Sequence, residues 1–244
     1  MPSPVAQRMR AALVPVAIAL ALVAGCGGPS VPAATGSPRA VEPVAPCVTA
    51  DEQRADGLRL AVAGSATADA LVLGSGSTGL VLANQSDTDL CDWKPLADEW
   101  SQRGYRVLIF NYSSRPPDQD VLAAVAELRR RGSGRVFLIG ASMGGTAVLA
   151  AAVKARPPVA GVISLSGPAA FAGVDAGTAV RTLTVPVLFL VGEQDEPFAG
   201  DAKTLYAACP AKDKKLELLP TAAHGTALID ERIDGRIQTF LTRH

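Results

Sequence analysis

From about residue 56 onward, short apolar runs alternate with stretches of helical periodicity. VLIF (107–110), VFLI (136–139) and most of VPVLFLV (185–191) contain no polar position. Strands of that kind are buried on both faces, as in a parallel sheet covered by helices. The pattern predicts strands over 58–63, 69–73, 79–83, 105–110, 135–139, 160–165, 185–191 and 215–219. Helices are expected between them, over 92–103, 118–131, 143–155, 198–208 and 226–243. In the last of these, Ile229, Ile233, Ile237 and Leu241 recur every four residues and would form one stripe against the sheet. Strand and helix alternating in this way read as a single α/β domain, a doubly wound and mostly parallel sheet of about eight strands. Trp93 and Trp100, seven residues apart, are expected to pack their helix on that sheet.

The first residues follow another pattern. MPSPVAQRMR carries two arginines, AALVPVAIALALVA is apolar, and AGC follows. A spanning helix needs about 20 apolar residues, and this run is shorter and holds Pro15, so a secretory signal over 1–25 is favoured over a membrane anchor. Val23-Ala24-Gly25-Cys26 resembles the lipobox of bacterial lipoproteins. The resemblance implies that Cys26 carries lipid and holds the mature chain on the outer side of the cytoplasmic membrane. Residues 26–46 are rich in Pro, Gly, Ser and Ala and read as a tether, leaving 47–244 as the folded domain. For an exported chain, Cys47, Cys91 and Cys209 allow one disulfide and one remaining thiol. Cys47 and Cys91, both in the first third of the domain, are the expected pair.

Composition narrows the partners. Lys+Arg and Asp+Glu are both 23, so no broad basic field exists to hold a phosphate backbone, and nucleic acid is not an expected partner. No cysteine or histidine spacing suggests a metal. Gly74-Ser75-Gly76-Ser77-Thr78-Gly79 has the GxGxxG spacing of dinucleotide sites. That chemistry needs a helix N-terminus directly afterwards, whereas LVLANQ continues as a strand. The segment is therefore read as a hairpin turn, and no cofactor is expected.

Gly140-Ala141-Ser142-Met143-Gly144 fits GxSxG, with the strand RVFLI before it and the helix TAVLAAAVK after it. A nucleophile on a sharp strand-to-helix turn needs small neighbours, which Gly140 and Gly144 supply, and the turn would expose the hydroxyl of Ser142 above the sheet. The amide of Met143 would then face the place where an oxyanion forms. A serine needs a base, and the base needs an orienting acid. Of the two histidines, His244 is the last residue, whereas His224 follows the final strand. Acids follow the strand before it, in VGEQDEP, where Glu193, Asp195 and Glu196 are all candidates.

GASMGG, VGEQDEP and AAHG together make the chain, from about residue 56 to the end, resemble a serine hydrolase of the α/β-hydrolase superfamily. It is most similar to small esterases and dienelactone-hydrolase-like members. The resemblance implies Asp195 as the acid, with Glu193 and Glu196 as alternatives, and Ser142, Asp195 and His224 as a triad. Dienelactone hydrolases proper use cysteine where this chain has Ser142, which favours acyl ester chemistry. The family's third strand ends in His-Gly, whose loop gives the second oxyanion donor; here Asn84-Gln85 stand there. The backbone of Gln85 or Ser86 could still donate, and Asn84 could brace the loop. NYSSRPPD replaces another family turn, with Asn111 read as structural and Arg115 as a possible contact to an acidic substrate.

Caps in this fold are commonly inserted after the sixth strand. Here Ser166 to Thr184 leaves room for one short helix, so no large cap domain and an open site are expected. The substrate implied is a small or flexible carboxylic ester. A binding scaffold, or a peptidase, thioesterase or acyltransferase on the same residues, is the alternative.

Overall fold

The computed structural model describes residues 42–244; the signal segment, Cys26 and most of the tether lie outside the described residues. Eight strands form the main sheet: β1 Gly57–Ala61, β2 Thr67–Leu73, β3 Thr78–Ala83, β4 Arg106–Phe110, β5 Arg135–Ala141, β6 Gly161–Leu165, β9 Val187–Gly192 and β10 Lys214–Leu219. Their order is β1-β2-β4-β3-β5-β6-β9-β10. The pairs β1/β2 and β2/β4 are antiparallel, and all the others are parallel. β3, β5, β6 and β9 are buried at nearly every position, as their unbroken apolar runs require.

Alternate residues of these strands feed two cores. Val81, Leu108 and Leu138 face α3 (Pro117–Arg130) and α4 (Met143–Lys154). Leu82, Ile109 and Ile139 face α2 (Lys94–Gln102) and α7 (Glu231–Arg243). Trp93 and Trp100 are fully buried on the second side, and the Trp100 indole donates to Asp234 Oδ1 at 2.8 Å. α7 begins later than periodicity predicts. A single turn of 3-10 helix, Gly225–Leu228, comes first, and Asp230 then caps α7 by accepting the Ile233 amide. Ile233, Ile237 and Leu241 are buried, while Ile229 is only half-buried.

Three local features depart from the sequence expectations. The Gly74–Gly79 segment is not a hairpin turn, because β2 and β3 are not neighbours; the loop passes across the chain entering β4. A Cβ on Gly74 would lie 2.4 Å from Tyr105 O, and one on Gly76 would lie 1.8 Å from Gly104 O. Those glycines allow backbone to cross backbone. The domain also starts earlier than residue 47. Val44 and Ala45 pack on the second core, and Val44 hydrogen-bonds Gln53 and Asn111. Finally, α1 (Ala50–Asp56) has no buried residue and hence no periodic signal; Thr49 and Glu52 form its capping box.

Between β6 and β9 the chain makes a two-stranded hairpin, β7 (Ala170–Phe171) with β8 (Val174–Asp175). The short helix α5 (Ala176–Ala179) and one turn, Val180–Thr182, complete the connection. Among the described residues no cap domain covers the carboxyl edge of the sheet. α6 (Phe198–Ala208) leads from β9 to β10.

Candidate active site

β5 ends at Ala141 and α4 starts at Met143, so Ser142 alone makes the turn, at φ 51 and ψ −118. A side-chain-bearing residue holds such a conformation only when its surroundings impose it. The Ser142 amide donates to Leu165 O at 2.8 Å, and its carbonyl accepts the Thr146 amide at 3.1 Å. The flanking glycines allow the close approach: a Cβ on Gly140 would lie 2.2 Å from Gly144 O, and one on Gly144 would lie 2.1 Å from Ala83 O. The half-exposed Ser142 hydroxyl has no hydrogen-bond partner among the described residues.

His224 and Asp195 come from separate loops at the same sheet edge. His224 Nδ1 lies 2.9 Å from Asp195 Oδ2 and 3.1 Å from Oδ1. Gly192 permits this pairing of loops, since a Cβ there would come within 2.6 Å of Thr221 O and 2.8 Å of Ala223 O. Phe198 packs tilted against the imidazole, 4.2 Å between centroids and 49° between planes. A Cβ on Gly225 would sit 3.5 Å from Ala141 Cβ, so the residue after the histidine lies against the residue before the serine. Glu193 and Glu196, the alternative acids, are exposed, whereas Asp195 is buried.

The amides of Met143, Gln85 and Ser86 make no hydrogen bond among the described residues. Met143 opens α4, so the positive end of that helix lies at the turn. After β3, Asn84 is buried and donates Nδ2–H to Thr88 O, while its carbonyl accepts the Tyr112 hydroxyl. Gln85 uses its side chain as well: Oε1 accepts the Thr226 amide at 3.2 Å and ties this loop to the histidine loop. Thr226 also donates its hydroxyl to Asp92 Oδ2. Beside Asp92, Cys91 is joined to Cys47 by a disulfide, and the third cysteine among the described residues, Cys209, is a buried thiol. Burial pushes that thiol's pKa upward.

Arg115 does not face the site. Its Nε donates to Ala63 O and braces the β1–β2 turn. Asn111 is structural, accepting the Leu90 amide and donating to Val44 O. His244 packs tilted against Phe240 at the far end of α7.

Two contacts of this site have no sequence signature beyond their position at strand ends. One is the Gln85 side chain. The other is Ser166, directly after β6, whose hydroxyl donates to Asp195 Oδ2 at 2.7 Å.

This sheet order, with a serine turn after the fifth strand and an acid and histidine beyond later strands, defines an α/β-hydrolase fold. Among solved structures the chain is similar to an esterase from Pyrococcus furiosus, with a TM-score of 0.67 and 15% identity over 77% of this chain and 91% of that one. An enol-lactonase from Burkholderia xenovorans LB400 gives 0.61 and 18%, over 76% and 100%. A monoacylglycerol lipase from Paleococcus ferrophilus gives 0.60 and 15%, over 72% and 99%. No curated protein matches the chain. Residues 103–234, more than half of the sequence, match the dienelactone hydrolase family, and the chain belongs to that family of hydrolases.

Proposed function

We propose that the protein is a serine hydrolase of small or flexible carboxylic esters. Ser142 is the nucleophile, His224 the general base and Asp195 the group that orients and balances the imidazole. His224 Nε2 takes the Ser142 proton as Oγ attacks the ester carbonyl. The Met143 amide, with Gln85 or Ser86, holds the oxyanion. The alcohol leaves with a proton from His224, and water then hydrolyses the acyl-enzyme with His224 again as base. The observation that carries this reading is the 2.9 Å contact between His224 Nδ1 and Asp195 Oδ2, made beside the serine turn by residues 29 apart in sequence. The half-exposed serine, and a β6–β9 connection that is only a short hairpin and one short helix, suit a site open to short acyl groups.

The same reading makes the enzyme an exported lipoprotein, held through Cys26 on the outer side of the cytoplasmic membrane. The signal pattern of residues 1–25 and the disulfide between Cys47 and Cys91 support export.

The test uses purified residues 42–244 with a fluorophosphonate probe and short p-nitrophenyl esters, beside Ser142→Ala. Labelling and turnover that vanish in the variant are expected. A wild-type protein that neither labels nor turns over would end this reading and favour a non-catalytic scaffold.

A further inference from the structure

Ser166 takes no part in the cycle just described, yet its setting is unusual. It follows β6 at φ 50, in the left-handed region, and the residue is 1% exposed. Glycine adopts that conformation freely and serine does not. What serine adds over glycine is a hydroxyl, and this one is fully committed: it donates to Asp195 Oδ2 at 2.7 Å, the oxygen that also lies 2.9 Å from His224 Nδ1. The Ser166 amide donates to Leu190 O at 2.9 Å, which fixes its backbone against β9. One residue earlier, Leu165 O accepts the Ser142 amide at 2.8 Å. Since β6 lies between β5 and β9, two consecutive residues at its end touch both the serine turn and the acid.

We propose that Ser166 is a positioning residue that acts through Asp195. Its hydroxyl locks the carboxylate rotamer that faces Nδ1 and shares the carboxylate oxygen that the ring contacts, so that the imidazole is held in place. This rests on the triad reading. The charged groups on the elements around the imidazole are Asp195 itself, the exposed Glu193 and Glu196 beside it, Asp87, Asp89 and Asp92 on the loop after β3, and Asp201 and Lys203 on α6, whose Phe198 packs on the ring. Among the described residues only Asp195 bonds the ring.

Ser166→Gly removes the hydroxyl and suits the backbone, and Ser166→Ala is the companion variant that keeps a Cβ. With two histidines in the chain, ring proton resonances of His224 can be followed by NMR titration and assigned with His224→Asn. Without the Ser166 donor, more charge on Asp195 favours the imidazolium, so the His224 midpoint is expected to move to higher pH in both variants. The acidic limb of kcat/KM should move with it. A hydrogen bond to a charged group accounts for a fall in kcat on the order of ten-fold, with KM little changed.

An unchanged His224 midpoint in Ser166→Gly overturns the proposal, as does a lowered melting temperature with midpoint and kcat both unaltered. If the wild type neither labels nor hydrolyses esters, the triad reading fails. The imidazole titration still decides whether Ser166 controls the His224–Asp195 pair.

Discussion

Replacing Gly144 by alanine sets two opposed effects against each other. Gly144 lies in the first turn of α4, where alanine in an unobstructed helix would gain up to about 1 kcal/mol. Here the added Cβ would sit 2.1 Å from Ala83 O, 2.6 Å from Ala83 C and 2.8 Å from Asn84 O, all backbone atoms at the end of β3. Reaching even 3.0 Å needs a separation of about 1 Å between α4 and the loop carrying Gln85, and close-packed interiors resist such shifts. Overpacking of this kind costs about 1–3 kcal/mol, which in a domain of this size lowers Tm by about 2–4 °C per kcal/mol. The same displacement moves one proposed oxyanion donor relative to the other, and a 1 Å misplacement can cost about a hundred-fold in rate. Gly235→Ala is the control: it lies in α7 with nothing within 4 Å of its added Cβ, so about 0.5–1 kcal/mol of stabilisation and unchanged kinetics are expected. Differential scanning calorimetry and p-nitrophenyl ester kinetics on both variants decide the matter. If Gly144→Ala were as stable and active as Gly235→Ala, the close-approach reasoning would be refuted.

Two further outcomes follow from groups around the site. Lys94, bonded to Glu52 and helped by Thr49, holds the Glu52 carboxyl at about 2 rather than 4.5. A depressed carboxylate stabilises the fold above its unfolded value and loses that contribution as pH falls towards the folded one. Tm should therefore drop more steeply between about pH 4.5 and 2 in the wild type than in Lys94→Met, as read by circular dichroism melts; parallel curves would remove Lys94 as the cause. Reducing the Cys47–Cys91 bond, which spans 44 residues, should cost about 2–4 kcal/mol. Melts of Cys47→Ser/Cys91→Ser with and without reductant check this, and an unchanged Tm on reducing the wild type would count against it.

Much of this fold was legible because parallel strands buried on both faces leave uninterrupted apolar runs. The order of those strands was not legible. That β4 lies between β2 and β3 depends on a loop whose glycines look like turn residues until the backbone they cross is seen. At the candidate site, glycine spacing and the placement of Asp195 and His224 after strands carry a chemical pattern independent of tertiary detail. The roles of Ser166 and of the Gln85 side chain carry none, since a serine or glutamine in a loop looks alike whether it faces solvent or a neighbouring loop. α1 was missed because it buries nothing.

The N-terminal segment is fastened at an informative place. Val44 is held by Asn111 at the end of β4, and Cys47 by Cys91, whose neighbour Asp92 bonds the residue two beyond His224. The chain that enters the domain is thus fastened at the same rim of the sheet as the candidate site, so that loosening Val44 or opening the disulfide would be felt at the His224 loop before it reached the far edge.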